Sequence, residues 1–327
     1  MNTLTYLTLV ITYRCSARCD HCCLGAGPEF GDWMSPDDAE RYISGVTRHN
    51  TISHMTLIGG EALLDLDRTV AIGKIALRCG IHKVDVDTNG SWATNDQAAR
   101  HVLITLRNAG LNVSGISVDA FHQQHVPREH ALCAMRAAKA LGLDVQGSSE
   151  ILDPTNPSNT YDERTQRLAE WFSRHGFSVT PGGPAYVVFQ GRATNLAHAH
   201  TGPRSIPQDK CAGVPWFATA DFRRLGGIEI DPYGWVMVEH GLCIGNARQR
   251  PVKDILASYD PAAHPILSVL MADGPIGLTR IPEADGFELR EEGYIDKCHL
   301  CHEIRTHLRS RFPNLLAPEN CYPEITS

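Results

Sequence analysis

The stretch YLTLVITYRCSARCDHCC, Tyr6 to Cys23, joins an apolar, β-branched run to four cysteines in nine residues. Residues 6–12 read as a strand. At its end Cys15, Cys19 and Cys22 form C-x3-C-x2-C. Three thiolates on one short loop can hold three corners of a cubane iron–sulfur cluster. The fourth iron is then left open, and an open coordination position separates a reactive metal site from a structural one. A zinc ribbon would need a second C-x2-C pair within about 20 residues, whereas the other such pair, Cys298 and Cys301, is far downstream. A zinc site, or a set of buried thiols, is the alternative reading. Cys23 is the surplus cysteine and reads as a small packing residue, as do Cys79 and Cys133 within expected helices.

Outward from this stretch, strands alternate with amphipathic helices. Strands are expected at 54–59, 83–88, 113–119, 144–151 and 177–189. Helices are expected at 35–46, 65–79, 95–109, 128–141 and 161–176. Ser35 suits an N-cap, Pro36 the first turn, and Asp37 and Asp38 the positive helix end. Six βα units imply a parallel sheet with helices outside, an α/β fold built as an open, partial (β/α)6 barrel with its sites at the C-terminal strand ends. The alternation stops near residue 195. Residues 198–210 read as a linker and 226–238 as a hairpin around Asp231-Pro232-Tyr233-Gly234. The expected organisation is a barrel at 1–195 and a small α+β extension at 196–327.

Bulk properties narrow the function. The chain has 327 residues, 43% of them hydrophobic, enough for a large domain with a small one. No run approaches the roughly 18–20 apolar residues that span a bilayer. The start, MNTLTYLTLVITYRC, shows no basic leader and no small-residue cleavage site. A cytoplasmic protein with no membrane partner is expected, and in a reducing compartment eleven cysteines point to metal or chemistry rather than crosslinks. The net charge of −7 argues against nucleic acid and is compatible with a cationic substrate.

Polar groups recur at the strand ends. In IGGEALL (58–64), Gly59 and Gly60 let backbone approach a ligand, and Glu61 offers a carboxylate to an ammonium group. DTNGSW (87–92) and SVDAFH (117–122) bring Thr88, Asn89, Ser117 and Asp119 to the next two strand ends, and Glu150 and Arg192 follow.

C-x3-C-x-aromatic-C after the first strand, with His21 in the aromatic position, resembles the signature of the radical S-adenosylmethionine (SAM) enzymes. The resemblance spans roughly residues 5–195. It implies that SAM chelates the open iron and is cleaved by an electron from the cluster, and that the resulting 5′-deoxyadenosyl radical abstracts a substrate hydrogen. Gly59-Gly60-Glu61 is similar to that family's GGE motif, which binds the methionine amino group, with Ala62 where Pro is usual. The resemblance places Thr88, Asn89 and Ser117 near the ribose or carboxylate of SAM, with Asp119 and Glu150 nearby. Arg192, in a Gly-Arg-Ala stretch, becomes a candidate for the SAM carboxylate or for a surface ion pair.

Cys211, the hairpin, Cys243, then Cys298 and Cys301 (about 205–305) resemble the "twitch" extension of these enzymes, which carries an auxiliary [4Fe–4S] cluster on four thiolates. A structural zinc is the alternative. The closest likeness is to small twitch epimerases and dehydrogenases of aminoglycoside and ribosomal-peptide biosynthesis. Some of these have a Cys-Cys pair just after the hairpin, where this chain has Glu239 and His240. Either Cys243 is the fourth ligand, or Cys321 is and Cys243 is free to donate hydrogen. The first favours oxidation, the second epimerisation. The expected substrate is an amino sugar or aminocyclitol, with a peptide as the rival. No N-terminal peptide-binding domain is expected. Flavodoxin or ferredoxin would supply electrons. Outside the class stands a non-catalytic iron–sulfur or zinc protein, which has no use for a SAM pocket.

Overall fold

The structure is a computed structural model that describes residues 4–323 apart from 212, 215–218 and 220. Strands and helices alternate from the start: β1 (Tyr6–Val10), α1 (Pro36–Thr47), β2 (His54–Ile58), α2 (Leu66–Arg78), β3 (Lys83–Thr88), α3 (Asp96–Asn108), β4 (Asn112–Ser117), α4 (Arg128–Ala140), β5 (Gly147–Ile151), α5 (Thr160–Arg174) and β6 (Val179–Tyr186). Local chemistry sets the boundaries. The Ser35 side chain accepts from the Asp38 amide and Pro36 opens α1, which buries Ala39, Tyr42, Ile43 and Val46, a 3–4 repeat along one face. Asp65 and Asn95 cap α2 and α3 in the same way.

β1 to β6 pair in parallel in chain order, so six strand C-termini open onto one rim. The sheet does not close on itself: β6 is one edge and β9 the other. This is the expected α/β fold with an open barrel.

Beyond residue 195 the sheet continues. A 3-10 stretch, Gly191–Ala199, covers the start of the expected linker. β7 (Gly227–Ile230) then pairs in parallel with β1, and β8 (Trp235–Glu239) and β9 (Leu242–Asn246) follow antiparallel. The β7–β8 turn is held by Asp231, whose carboxylate accepts from the Tyr233 and Trp235 amides and from the Tyr13 hydroxyl. Sequence reading missed β9, because LCIGN is short and lacks alternation. It forms because Gly241, at φ +75°, turns the chain straight back along β8. Among the described residues four helices follow: α6 (Val252–Ala257), α7 (Pro265–Asp273), α8 (Pro275–Leu278) and α9 (Lys297–Leu308). Among the described residues no helix is long and apolar enough to cross a membrane.

The two ends of the chain meet at Gly25. It sits at φ +64°, and a Cβ there would lie 1.9 Å from the Asn320 carbonyl oxygen. The Asn320 side chain in turn donates to the Leu24 carbonyl at 2.8 Å. Gly25→Ala is therefore expected to lower stability by about 1–3 kcal/mol, the range for a forced left-handed residue. It should also release the segment around residue 320 to limited proteolysis before the barrel unfolds. A wild-type melting curve and cleavage pattern would contradict this.

Candidate functional site

Past β1 the chain crosses the rim as a loop. The Cys15 amide donates to the Gly27 carbonyl and the Gly27 amide to the Tyr13 carbonyl, each at 3.0 Å, which closes it. Arg192, after β6, clamps it from above: Nε donates to the Cys19 carbonyl (3.0 Å), Nη2 to the Ala26 carbonyl (2.6 Å), and the backbone amide to the Cys22 carbonyl (3.1 Å). Gly191 makes this approach possible, since a Cβ there would meet the Cys23 carbonyl oxygen at 2.4 Å.

Burial pushes the Cys15 thiol up to about 12, and the Cys22 charge adds to it. Cys19 is raised by burial and then by Cys22 and Cys15, and Cys22 is raised by burial too. Three buried sulfurs that oppose one another's ionisation are what a cationic centre relieves. Three soft donors on one loop fit a [4Fe–4S] cluster with an open iron.

A cavity of about 350 Å³ opens over this loop. Cys15, Cys19, His21, Cys22, Gly59, Gly60, Thr88, Asn89, Ser117, Glu150 and Arg192 all line it. An open hollow of about 610 Å³ beside Trp33, Asp65 and His101 holds none of the expected groups. Within the first cavity the His21 ring stacks on Phe121 at 4.5 Å and stands edge-on to His122 at 4.7 Å. Burial lowers its pKa to about 3, so the ring is neutral. Desolvation and the Asp119 charge push the Glu150 carboxyl up to about 8, so it keeps its proton near neutral pH unless a cation faces it. His21 Nδ1 and Gln190 Oε1, both facing the cavity, are buried without partners among the described residues, as atoms awaiting a ligand are. Asn89 Nδ2 donates to Ser16 Oγ at 3.2 Å and lies 3.5 Å from Cys15 Sγ. A hydrogen bond to a ligating sulfur tunes a cluster's potential.

Two expected site residues lie beneath the cavity wall. Glu61 Oε1 accepts from the Leu63 amide (3.0 Å) and Thr88 Oγ1 (2.8 Å), and Oε2 from the Asn89 amide (2.7 Å). Its carboxylate braces the β2 and β3 exits against each other. Gly59 and Gly60 make room for the cysteine loop itself: a Cβ on Gly60 would meet the Arg14 carbonyl oxygen at 2.2 Å. Asp119 Oδ1 accepts from the Phe121 and His122 amides and pairs with His122 Nδ1 at 2.9 Å, which leaves His122 to face the cavity.

Residues 9–190, more than half of the chain, match the family model of the radical SAM superfamily. The chain belongs to the radical SAM superfamily. Its membership implies a [4Fe–4S] cluster and SAM, which the donor set and the cavity fit. The chain is 27% identical to the GTP 3′,8-cyclase of Mycolicibacterium smegmatis over 54% of its length and 48% of that protein's. It is 23% identical to the peptide biosynthesis protein YydG of Bacillus subtilis over 35% of each. The matches thus span from a third to about half of these radical SAM relatives. A solved structure of anSMEcpe with bound AdoMet and Cp18Cys peptide superposes with a TM-score of 0.50 at 11% identity, covering 95% of this chain and 97% of that one, which shows a shared fold.

The later cysteines fall into two groups. Cys211, Cys298 and Cys301 lie near enough for their charges to act on one another: Cys298 is raised by burial and by charges that include Cys301 and Cys211, and Cys211 by burial and then Cys301. Cys243 is sealed between Met237 and Ala317, and its Sγ donates to the Ala317 carbonyl at 3.1 Å. Cys321 is buried where the charges of Glu229, Asp231, Cys23 and Cys243 act on it. Cys23, read from sequence as packing, lines the cavity beside His240. Its place directly after a cluster cysteine was the available signal.

Burial alone would raise Asp119, but His122 outweighs it and holds the carboxyl at about 2, while His122 is raised in return. The His122 contribution is full below the ordinary histidine value of 6.5 and is lost as pH rises through its raised value. The Asp119 contribution is full above 3.8 and is lost as pH falls towards 2. Asp119→Asn should therefore destabilise most between those limits, by about 3 kcal/mol for a broken buried pair, and less at about pH 10, towards which the His122 charge is progressively lost. Urea unfolding near pH 6 and pH 10 measures the difference. An equal loss at both would remove the ion pair from the account.

Proposed function

We propose that this protein is a radical SAM epimerase of a small cationic amino sugar or aminocyclitol, and that Cys23 returns the hydrogen. The observation that carries the reading is a reduced thiol in the same cavity wall as the three-cysteine loop. When bound, the cluster and SAM supply a 5′-deoxyadenosyl radical that takes one hydrogen atom from a substrate carbon. Everything else falls to the chain. Cys15, Cys19 and Cys22 hold the cluster, and Arg192 and Asn89 fix the loop around it. Glu150 offers its carboxylate to a substrate ammonium, whose charge would offset the burial and the Asp119 charge that otherwise raise its pKa. The Cys23 S–H bond breaks as its hydrogen joins the carbon radical, leaving a sulfur radical; inversion follows where the substrate turns towards Cys23 the face opposite the one that lost its hydrogen. One electron from a flavodoxin- or ferredoxin-type donor and one proton through His240 restore the thiol. A second [4Fe–4S] cluster on the Cys211, Cys298 and Cys301 group would relay that electron.

The likeness to YydG, named for peptide biosynthesis, favours a ribosomal peptide as the second reading. Cavity size, with the Glu150 carboxyl in its lining, supports the smaller substrate. Dehydrogenation would leave Cys23 with no task.

The test is an anaerobic reaction in heavy water with panels of aminocyclitols, amino sugars and peptides. The expected product carries one deuterium at the inverted carbon, because a thiol hydrogen exchanges with solvent. Cys23→Ala should keep its iron and still form 5′-deoxyadenosine, while epimer yield falls at least about 100-fold, as for loss of a group acting only in the reaction. A product two hydrogens lighter, or full epimerisation by Cys23→Ala, would refute the reading.

A further inference from the structure

The inference here rests on the second cluster proposed above and names its ligands. We propose that the fourth protein ligand of that cluster is the Glu239 carboxylate, and that the buried guanidinium of Arg305 balances its charge.

Strand register carries the first part. Met237 pairs with Cys243, but Glu239 pairs with Leu242, so β8 spends one more residue than β9 between the two pairings. This is a bulge. Paired residues on antiparallel strands share a face, and consecutive residues on one strand point to opposite faces. Leu242 and Cys243 are consecutive, so Glu239 lies on the face opposite Cys243. Without the bulge, period-2 alternation would put Glu239 beside Met237 and Cys243; re-aiming a side chain is what bulges do. Burial agrees. Leu242 belongs to the main core with Cys301, and Cys211 packs against that core, while Cys243 belongs to the small cluster around Met237.

Leu242 shares its core with Cys301, Ile304 and Leu308 of α9. Asp296 caps α9, and Cys298 and Cys301 lie in its first turns. Lys297 Nζ donates to the Lys210 carbonyl at 3.3 Å, tying the Cys211 segment to that end of the helix. One turn beyond Cys301, Arg305 Nη1 donates to the His240 carbonyl at 3.1 Å and ties α9 to the β8 exit. These contacts gather three thiols and one carboxylate. The Glu239 charge acts on Cys211, Cys298 and Cys301 alike.

Arg305 is the independent sign of a missing anion. Its side chain is fully buried, yet Nε and Nη2 have no hydrogen-bond partner among the described residues. The charges acting on it include Cys301, Glu239 and Cys298. A buried guanidinium with idle donors is costly unless a negative group faces it. A cluster with three thiolates and a carboxylate is such a group. Carboxylate is a harder donor than thiolate, so this cluster should be easier to reduce than an all-cysteine one.

The experiment uses full-length protein with Cys15, Cys19 and Cys22 changed to Ala, reconstituted anaerobically, so that only the second cluster remains, with about four irons. In that background Cys243→Ala and Cys321→Ala should keep the iron and the electron paramagnetic resonance spectrum. Glu239→Ala should lose about one iron in four on mild oxidation and show a three-iron signal. Glu239→Cys should keep all the iron and be reduced only at a more negative potential. The Cys variant keeps the test alive if the Ala variant misfolds. An unchanged spectrum and potential in the Glu239 variants, or loss of iron from folded Cys243→Ala or Cys321→Ala, would overturn the ligand assignment. A background protein that binds no iron would refute the second cluster itself.

Discussion

Three thiols buried within reach of one another at the end of β1 resist ionisation, and the first half of the molecule is built around that constraint. Burial raises all three, Cys22 raises Cys15 and Cys19, and Cys15 raises Cys19. The loop that holds them therefore needs a rigid mould and positive charge. Arg192 supplies both, by spanning from β6 to three carbonyls of the loop. The floor is rigid for a related reason. Glu61 takes three donors from two neighbouring strand ends, and the glycines before it leave room for the loop backbone. A Gly-Gly-Glu turn thus serves the cysteine loop mechanically, whatever it also offers a ligand.

The same electrostatic problem recurs at the other end of the sheet. Cys211, Cys298 and Cys301 gather around Glu239, and a buried Arg305 stands where Arg192 stands at the first site. The two places are linked by two consecutive residues. Glu239 faces the second group, and His240 lines the cavity of the first. β7, which pairs with β1, carries the hairpin to this position, so one sheet sets the separation of both sites.

Much of this was legible in order along the chain. Strand and helix periods, capping residues such as Ser35 and Asn95, and glycine stops are local, and they predicted six βα units whose observed bounds differ by a few residues. C-x3-C-x2-C was legible because three ligands on one loop need no tertiary context. Polar residues at strand ends were legible because a parallel sheet sends all its C-termini to one rim. β9 was not, since LCIGN has neither length nor alternation and forms only against β8.

What no reading along the chain could supply is which distant groups share a space. Spacing alone made Cys243 and Cys321 equal candidates and Cys23 a packing residue. Two offsetting register shifts, at Val236/Met237 and at Met237/Glu239, leave Cys243 on one face and Glu239 on the other, and such slips leave no mark in composition or period. The fold class and the first metal loop follow from local pattern, because backbone geometry repeats over short distances. The membership of the second site is decided by register and by helix packing across the sheet, because those depend on contacts between residues that lie far apart in the chain.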